Sequence, residues 1–182
     1  MMLGQHHGLP TRLLDWSGSP LIALHFAMTE RDMDKLDQRD CVVWRLDVEK
    51  LHNNLPAAYK EESERMHQKI FSVDMLKNVC NSLEQYDLDM GDDKMVILEP
   101  PSMDERMMTQ YAFFSVVPSG VTTVDEILHC HEEAVVRYII SKKLRWQIRD
   151  FLDQANVSER TVYPGLDGIA AWISRHYFVR DL

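Results

Sequence analysis

Residues 5–27, Gln-His-His-Gly-Leu-Pro-Thr-Arg-Leu-Leu-Asp-Trp-Ser-Gly-Ser-Pro-Leu-Ile-Ala-Leu-His-Phe-Ala, set a polar, turn-rich stretch directly before an apolar helix. Gly8 tolerates positive φ and Pro10 locks φ at about −65°, so the backbone leading to Ser17 is irregular yet held in place. Ser19-Pro20 then supplies a cap and a proline at the first helical position. Leu21, Leu24 and Met28 share one face of the helix that follows, with Ile22 and Phe26 at its flanks, which predicts a buried helix. A His, an Arg, an Asp and a Ser around a rigid turn are costly to desolvate unless a ligand or an internal network satisfies them. Two readings follow. The stretch is one wall of a pocket, or it is a structural network in which Arg12 pairs with Asp15, three residues on, and Trp16 anchors a core.

Beyond this stretch the pattern alternates between helix and strand. Val42, Trp44, Leu46 and Val48 alternate with Cys41, Val43, Arg45 and Asp47, the period of a strand with one drier face. From Ala57 to Asp89 the spacing is helical, with Met75, Leu76, Val79, Cys80 and Leu83 as its apolar positions and Lys60–Arg65 as a solvated run. Met95–Leu98 reads as a short buried strand ended by Pro100-Pro101. Ser102–Glu105 and Thr123–Glu126 are capping boxes for short helices, and the first leads through Gln110 into a strand from Ala112 to Val117. Ala134–Ile140 is β-branched and aromatic enough for another strand. Ser141 caps a helix with the face Leu144, Ile148, Phe151 and Leu152, and a last helix after Pro164-Gly165 carries Leu166, Ile169, Ala170, Ile173 and Tyr177. The expected fold is α+β: a small mixed or antiparallel sheet of about four or more strands, covered by helices. The length of 182 residues suits a single domain spanning 1–182.

Charge and composition narrow the function. A formal net charge of −9 disfavours nucleic acid as a bulk partner, because such binding neutralises phosphates with Lys and Arg. A small phosphate-bearing ligand is compatible with it, since a single Arg can hold one. There is no apolar run of about 18 residues and no signal-peptide pattern at Met1–His6, so no membrane association and a cytoplasmic location are expected. Cys41, Cys80 and Cys130 are odd in number and lack CxxC spacing, so they read as buried small hydrophobes. His129-Cys-His-Glu132 lacks the further ligands that a tetrahedral zinc site needs, so no metal is expected. P-loop, GxGxxG and GxSxG patterns are absent.

The stretch Gln5–Trp16 with the following Ala23-Leu-His-Phe-Ala27 resembles the signature of the FRG domain. Cys41–Asp47 resembles the strand the family places next, Arg106-Met-Met-Thr-Gln-Tyr-Ala-Phe-Phe114 its Arg-x-x-x-Gln-x-Gly-x-Phe element, and Val162-Tyr-Pro-Gly-Leu-Asp-Gly-Ile169 its closing element. The Phe/Tyr-Arg-Gly element that names the family lies well upstream of the signature, and only four residues precede Gln5, which implies a fragment or a short member, bacterial or phage-like in style. A weaker similarity joins Leu14–Ser17, Ala23–Ala27 and Gln110-Tyr-Ala112 to ADP-ribosyltransferases of the Arg-Ser-Glu type, implying a related fold and NAD as the cofactor. Ala112 stands where that family places its catalytic Glu.

Together these resemblances imply a polar cleft for a small nucleotide-like ligand. Gln5, Thr11, Arg12 and Trp16 would contact the ligand, with Arg12 as its anion contact. Ser17 and Gln110 would orient a ribose, and His6 or Asp15 would act as acid or base. Any chemistry would be NAD-dependent glycosyl or ADP-ribosyl transfer, and without the carboxylate this chain is expected to be inactive in it. The competing expectation is a non-catalytic interaction or structural module, with a protein partner or an upstream segment, in which the same loop is a stabilising hydrogen-bond network.

Overall fold

A computed structural model describes residues 11–29, 38–100, 104–121 and 123–177. Gln5 and His6 therefore lie outside the described residues, as does Ser102. The fold is α+β, with two small antiparallel sheets of three and two strands. Strands run at β1 (Leu13–Ser17), β2 (Cys41–Leu46), β3 (Val96–Leu98), β4 (Ala112–Val116) and β5 (Val135–Ile140). The chain divides into two compact units. One takes residues 11–16, 44–100, 113–121 and 123–136, and the other 17–29, 38–43, 104–112 and 137–177.

The first unit carries the three-stranded sheet in the order β1-β4-β3. β3 is apolar and buried on both faces, which suits a strand of three Val, Ile and Leu residues, and it pairs antiparallel with β4 through Val96–Val116, Ile97–Ser115 and Leu98–Phe114. Around it stand α2 (Val48–His52), α3 (Ala57–Met66), α4 (Val73–Val79), α5 (Leu83–Met90) and α7 (Val124–Cys130). Asp47, Ser72 and Ser82 cap α2, α4 and α5 by accepting backbone N–H groups of the first turn. Leu51, Met95, Ile97, Ile127, Leu128 and Ala134 form the core, with Trp16, Trp44 and Leu46 packed against it. The expected solvated run at Lys60–Arg65 needs one correction, because Glu62 is buried. Its carboxylate accepts two bonds from Arg65 and one from Asn78, which satisfy its oxygens.

The second unit holds α1 (Pro20–Met28), α6 (Glu105–Thr109), α8 (Arg145–Gln154), α9 (Glu159–Val162) and α10 (Leu166–His176). Helix α1 starts at Ser19-Pro20 as its sequence dictates, but it buries Ile22, His25 and Met28 rather than Leu21 and Leu24. Asp104 caps α6 by accepting from Met107 N. Helices α8 and α10 are rotated from the expected faces. Helix α8 turns Arg145, Arg149 and Leu152 inward and leaves Phe151 exposed, as is Leu144 just before it. Helix α10 buries Gly168, while Leu166 (82% exposed), Ile169, Ile173 and Tyr177 (74%) face solvent. A β-carbon at Gly168 would overlap the Tyr163 carbonyl oxygen and come within 2.7 Å of that of Glu159, so only glycine lets α10 approach α9 this closely.

One further expectation changes. Cys130 is exposed, and Cys41 and Cys80 are only partly buried, so they are not core hydrophobes. Among the described residues, no helix is long and apolar enough to cross a membrane.

Candidate functional site

In the first unit, Arg12 does not pair with Asp15. Its two terminal nitrogens grip Asp87 in a fork, Nη1 to Oδ2 at 3.0 Å and Nη2 to Oδ1 at 2.6 Å. Asp87 also accepts from Ser119 N at 3.2 Å, and the guanidinium lies 5.8 Å from the centre of the Tyr86 ring. The Arg12 bonds hold the Asp87 carboxyl down at about 2. Trp16 Nε1 donates to the buried Ser115 Oγ at 3.0 Å, and Thr11 Oγ1 accepts from Leu13 N. Asp15 is exposed. Thr11, Arg12 and Trp16, the candidate ligand contacts of this unit, are thus engaged with the protein itself.

In the second unit, Ser17 Oγ donates to the Gln110 carbonyl at 2.7 Å and accepts from Ser19 N at 3.1 Å. Gly18 N donates to the Tyr111 carbonyl, and Tyr111 takes a left-handed φ of 50°. The Gln110 amide and the Thr109 hydroxyl both donate to the Val162 carbonyl, at 3.2 and 3.3 Å. The Arg106 guanidinium lies over the Tyr163 ring, 5.1 Å from its centre. Phe26 meets the same ring edge-on at 6.1 Å, and His25 lies 6.1 Å from it at a tilt. Ser17, the helix after it, the Arg106–Gln110 segment and the Val162-Tyr163 segment thus meet in one unit. The expected meeting of Ser17 with the Gln110 strand is present as a direct hydrogen bond.

The FRG domain model matches residues 1–36. No curated protein and no solved structure matches the chain. The FRG segment holds Arg12, Trp16 and Ser17, and their partners Asp87, Ser115 and Gln110 all come from beyond it. It also holds His25, which opens onto a charged network that the local spacing of the sequence did not reveal.

His25 is wholly buried, and Arg149 Nη2 donates to its Nδ1 at 2.9 Å. Burial first, and Arg149 second, push the imidazole down to about 4, so it is neutral at pH 7. With Nδ1 accepting, Nε2 carries the hydrogen, and that atom is buried with no partner among the described residues. Arg149 also donates to the Val157 carbonyl and lies 3.8 Å from Asp153 and 4.0 Å from Glu159. Arg175 bridges those two carboxylates with four bonds of 2.7–3.0 Å. Burial opposes ionisation of Glu159, but the Arg175 bonds outweigh it and hold its carboxyl below the usual range. The available signal was the i, i+4 spacing of Arg145 and Arg149 on the stripe that ends in Leu152. A stripe reading confined to apolar residues passes over it.

Two buried histidines of the first unit, His52 and His131, are likewise engaged. His52 Nδ1 donates to the Lys69 carbonyl at 2.8 Å while Nε2 accepts from Ile97 N at 3.1 Å, and burial pushes this ring too down to about 4. His131 Nε2 lies 2.6 Å from the Asp93 carbonyl and Nδ1 lies 3.2 Å from the Asn54 amide. Among the described residues, no three His, Cys, Asp or Glu side chains gather as a metal-ligand set.

Proposed function

We propose that the FRG segment is a structural brace within a non-catalytic interaction module, rather than the wall of a nucleotide cleft. The observation that carries this reading is the use of Ser17 and Gln110. The Ser17 hydroxyl spends its hydrogen on the Gln110 carbonyl and accepts from Ser19, and the Gln110 amide is tied to Val162. Donating these same hydrogens to a ribose would break the bonds and leave half-buried partners unsatisfied, at a cost of up to about 1–3 kcal/mol each. Arg12, the expected anion contact, is neutralised by Asp87 in the same way. The reading takes residues 1–182 as one FRG-like domain, because the motifs resembling the family are spread over both units.

Ala112 gives no carboxylate to stabilise a developing ribosyl cation, and Gln110 is neutral. The test incubates the full chain with labelled NAD and follows nicotinamide release alongside the melting of Ser17→Ala. The expected outcome is no release, with Ser17→Ala melting below the parent. Release that vanishes in Ser17→Ala or Gln110→Ala, in protein that melts like the parent, would replace the brace with an active site.

A further inference from the structure

We propose that Arg106, laid over Tyr163, is an anion-binding side chain that takes a small phosphate-type group. Five arginines of the described residues are buried or half-buried: Arg12, Arg106, Arg145, Arg149 and Arg175. Arg12 and Arg175 hold carboxylates in close ion pairs. Arg149 bonds His25 and Val157 beside two carboxylates, and Arg145 bonds the Arg39 carbonyl. Arg106 differs from all four. Among the described residues its guanidinium donates no hydrogen bond and meets no carboxylate, and its Nε is buried and unbonded. This occurs in a chain with 29 acidic residues against 20 Lys and Arg, where a carboxylate partner is abundant.

The Tyr163 ring explains how the cation is held without one. A guanidinium is planar and weakly hydrated, so it stacks on an aromatic face while its edge N–H groups stay available, in the fork geometry that matches a phosphate. The ring is itself fixed, by Phe26 edge-on and by His25, which Arg149 anchors. His25, beside the ring, carries a buried Nε2–H that has no hydrogen bond among the described residues. An anion would satisfy Arg106 with charge-assisted bonds. The net charge of −9 selects a small one, because an extended polyanion would be repelled by the rest of the surface.

A free phosphate and the phosphates of a nucleotide share this chemistry, and calorimetry on the full chain separates them. Pyrophosphate and adenosine diphosphate are titrated at matched ionic strength into the parent, Arg106→Gln, Arg106→Lys and Arg160→Gln. Arg160 is the control, an exposed arginine over Trp172 at 4.7 Å. Binding of pyrophosphate to the parent is expected, unchanged in Arg160→Gln and weakened about tenfold or more in both Arg106 variants, because lysine keeps the charge but loses the fork. Equal affinity for both probes assigns a free phosphate, and tighter adenosine diphosphate assigns a nucleotide. Absence of binding to the parent, or binding undiminished in a folded Arg106 variant, overturns the proposal. The Ser17 assay does not depend on this outcome, so the two readings fail separately.

Discussion

The two units solve the problem of an interior in opposite ways. The first buries Leu51, Met95, Ile97, Ile127 and Leu128 around a short sheet, and its buried polar groups, such as His52 and Ser115, are satisfied singly. The second buries His25, Arg145, Arg149 and Glu159 beside a few apolar side chains, and it leaves Phe151, Leu166, Ile169 and Ile173 outside. The first interior gains from area removed from water, which is non-directional and tolerant of small shifts. The second depends on hydrogen-bonded charges, whose mutual attraction offsets desolvation only when each member is in place. A helix with both an apolar stripe and an arginine stripe can therefore turn either one inward, and the network decides.

The sharpest way to break this contrast is to remove one charge. Glu159→Ala leaves Arg175 and Arg149 to share Asp153 alone and is expected to destabilise by about 3 kcal/mol, the low end of the range for a buried pair that loses one partner. Chemical denaturation checks this. A cost under about 1 kcal/mol would mean that the second interior does not rest on its charges.

Acid should act on both units through one buried histidine each. The folded rings titrate at about 4 against an ordinary value of 6.5, so below pH 6.5 the unfolded chain binds protons that the folded chain refuses. Stability is fully present above 6.5 and falls as pH drops toward 4, by roughly 3 kcal/mol for each ring. Asp87, held at about 2, adds its loss only below the ordinary aspartate value of 3.8. Urea unfolding as a function of pH reads these windows. A stability that stays flat from pH 6.5 to 4 would show that neither ring is protected.

The smallest effect belongs to the exposed face of α10. Ile173→Ser is expected to change stability by no more than about 0.5 kcal/mol, since the residue is already 43% exposed. A loss of about 2 kcal/mol or more would show that this face is covered in solution, and the contrast between the units would shrink.

Much of the secondary structure was legible because its causes are local. Ser19-Pro20 starts α1, the Val-Ile-Leu run makes β3, and the β-branched stretch from Val135 makes β5. The facing of the helices was not. Periodicity shows that Leu144, Ile148 and Phe151 lie along one stripe, but whether that stripe is buried depends on His25, more than a hundred residues earlier. The candidate site was legible to the same extent. Ser17 and Gln110 meet, as the order of motifs implied. Arg12 chooses Asp87, 75 residues away, over Asp15, because the geometry of β1 and α5 rather than proximity along the chain sets its reach. Neither Arg106 nor the Arg149 network leaves a trace in hydrophobic spacing.

Each unit is assembled from pieces of chain that are far apart in time as well as in sequence. Trp16 must wait for Ser115, 99 residues later, and His25 for Arg149, 124 residues later. At ribosomal speeds these intervals are roughly 5 to 25 seconds, far longer than a helix or hairpin takes to form. The N-terminal segment therefore leaves the ribosome without the partners that will hold it. Its early helix, started at Ser19-Pro20, is the local order it has while it waits.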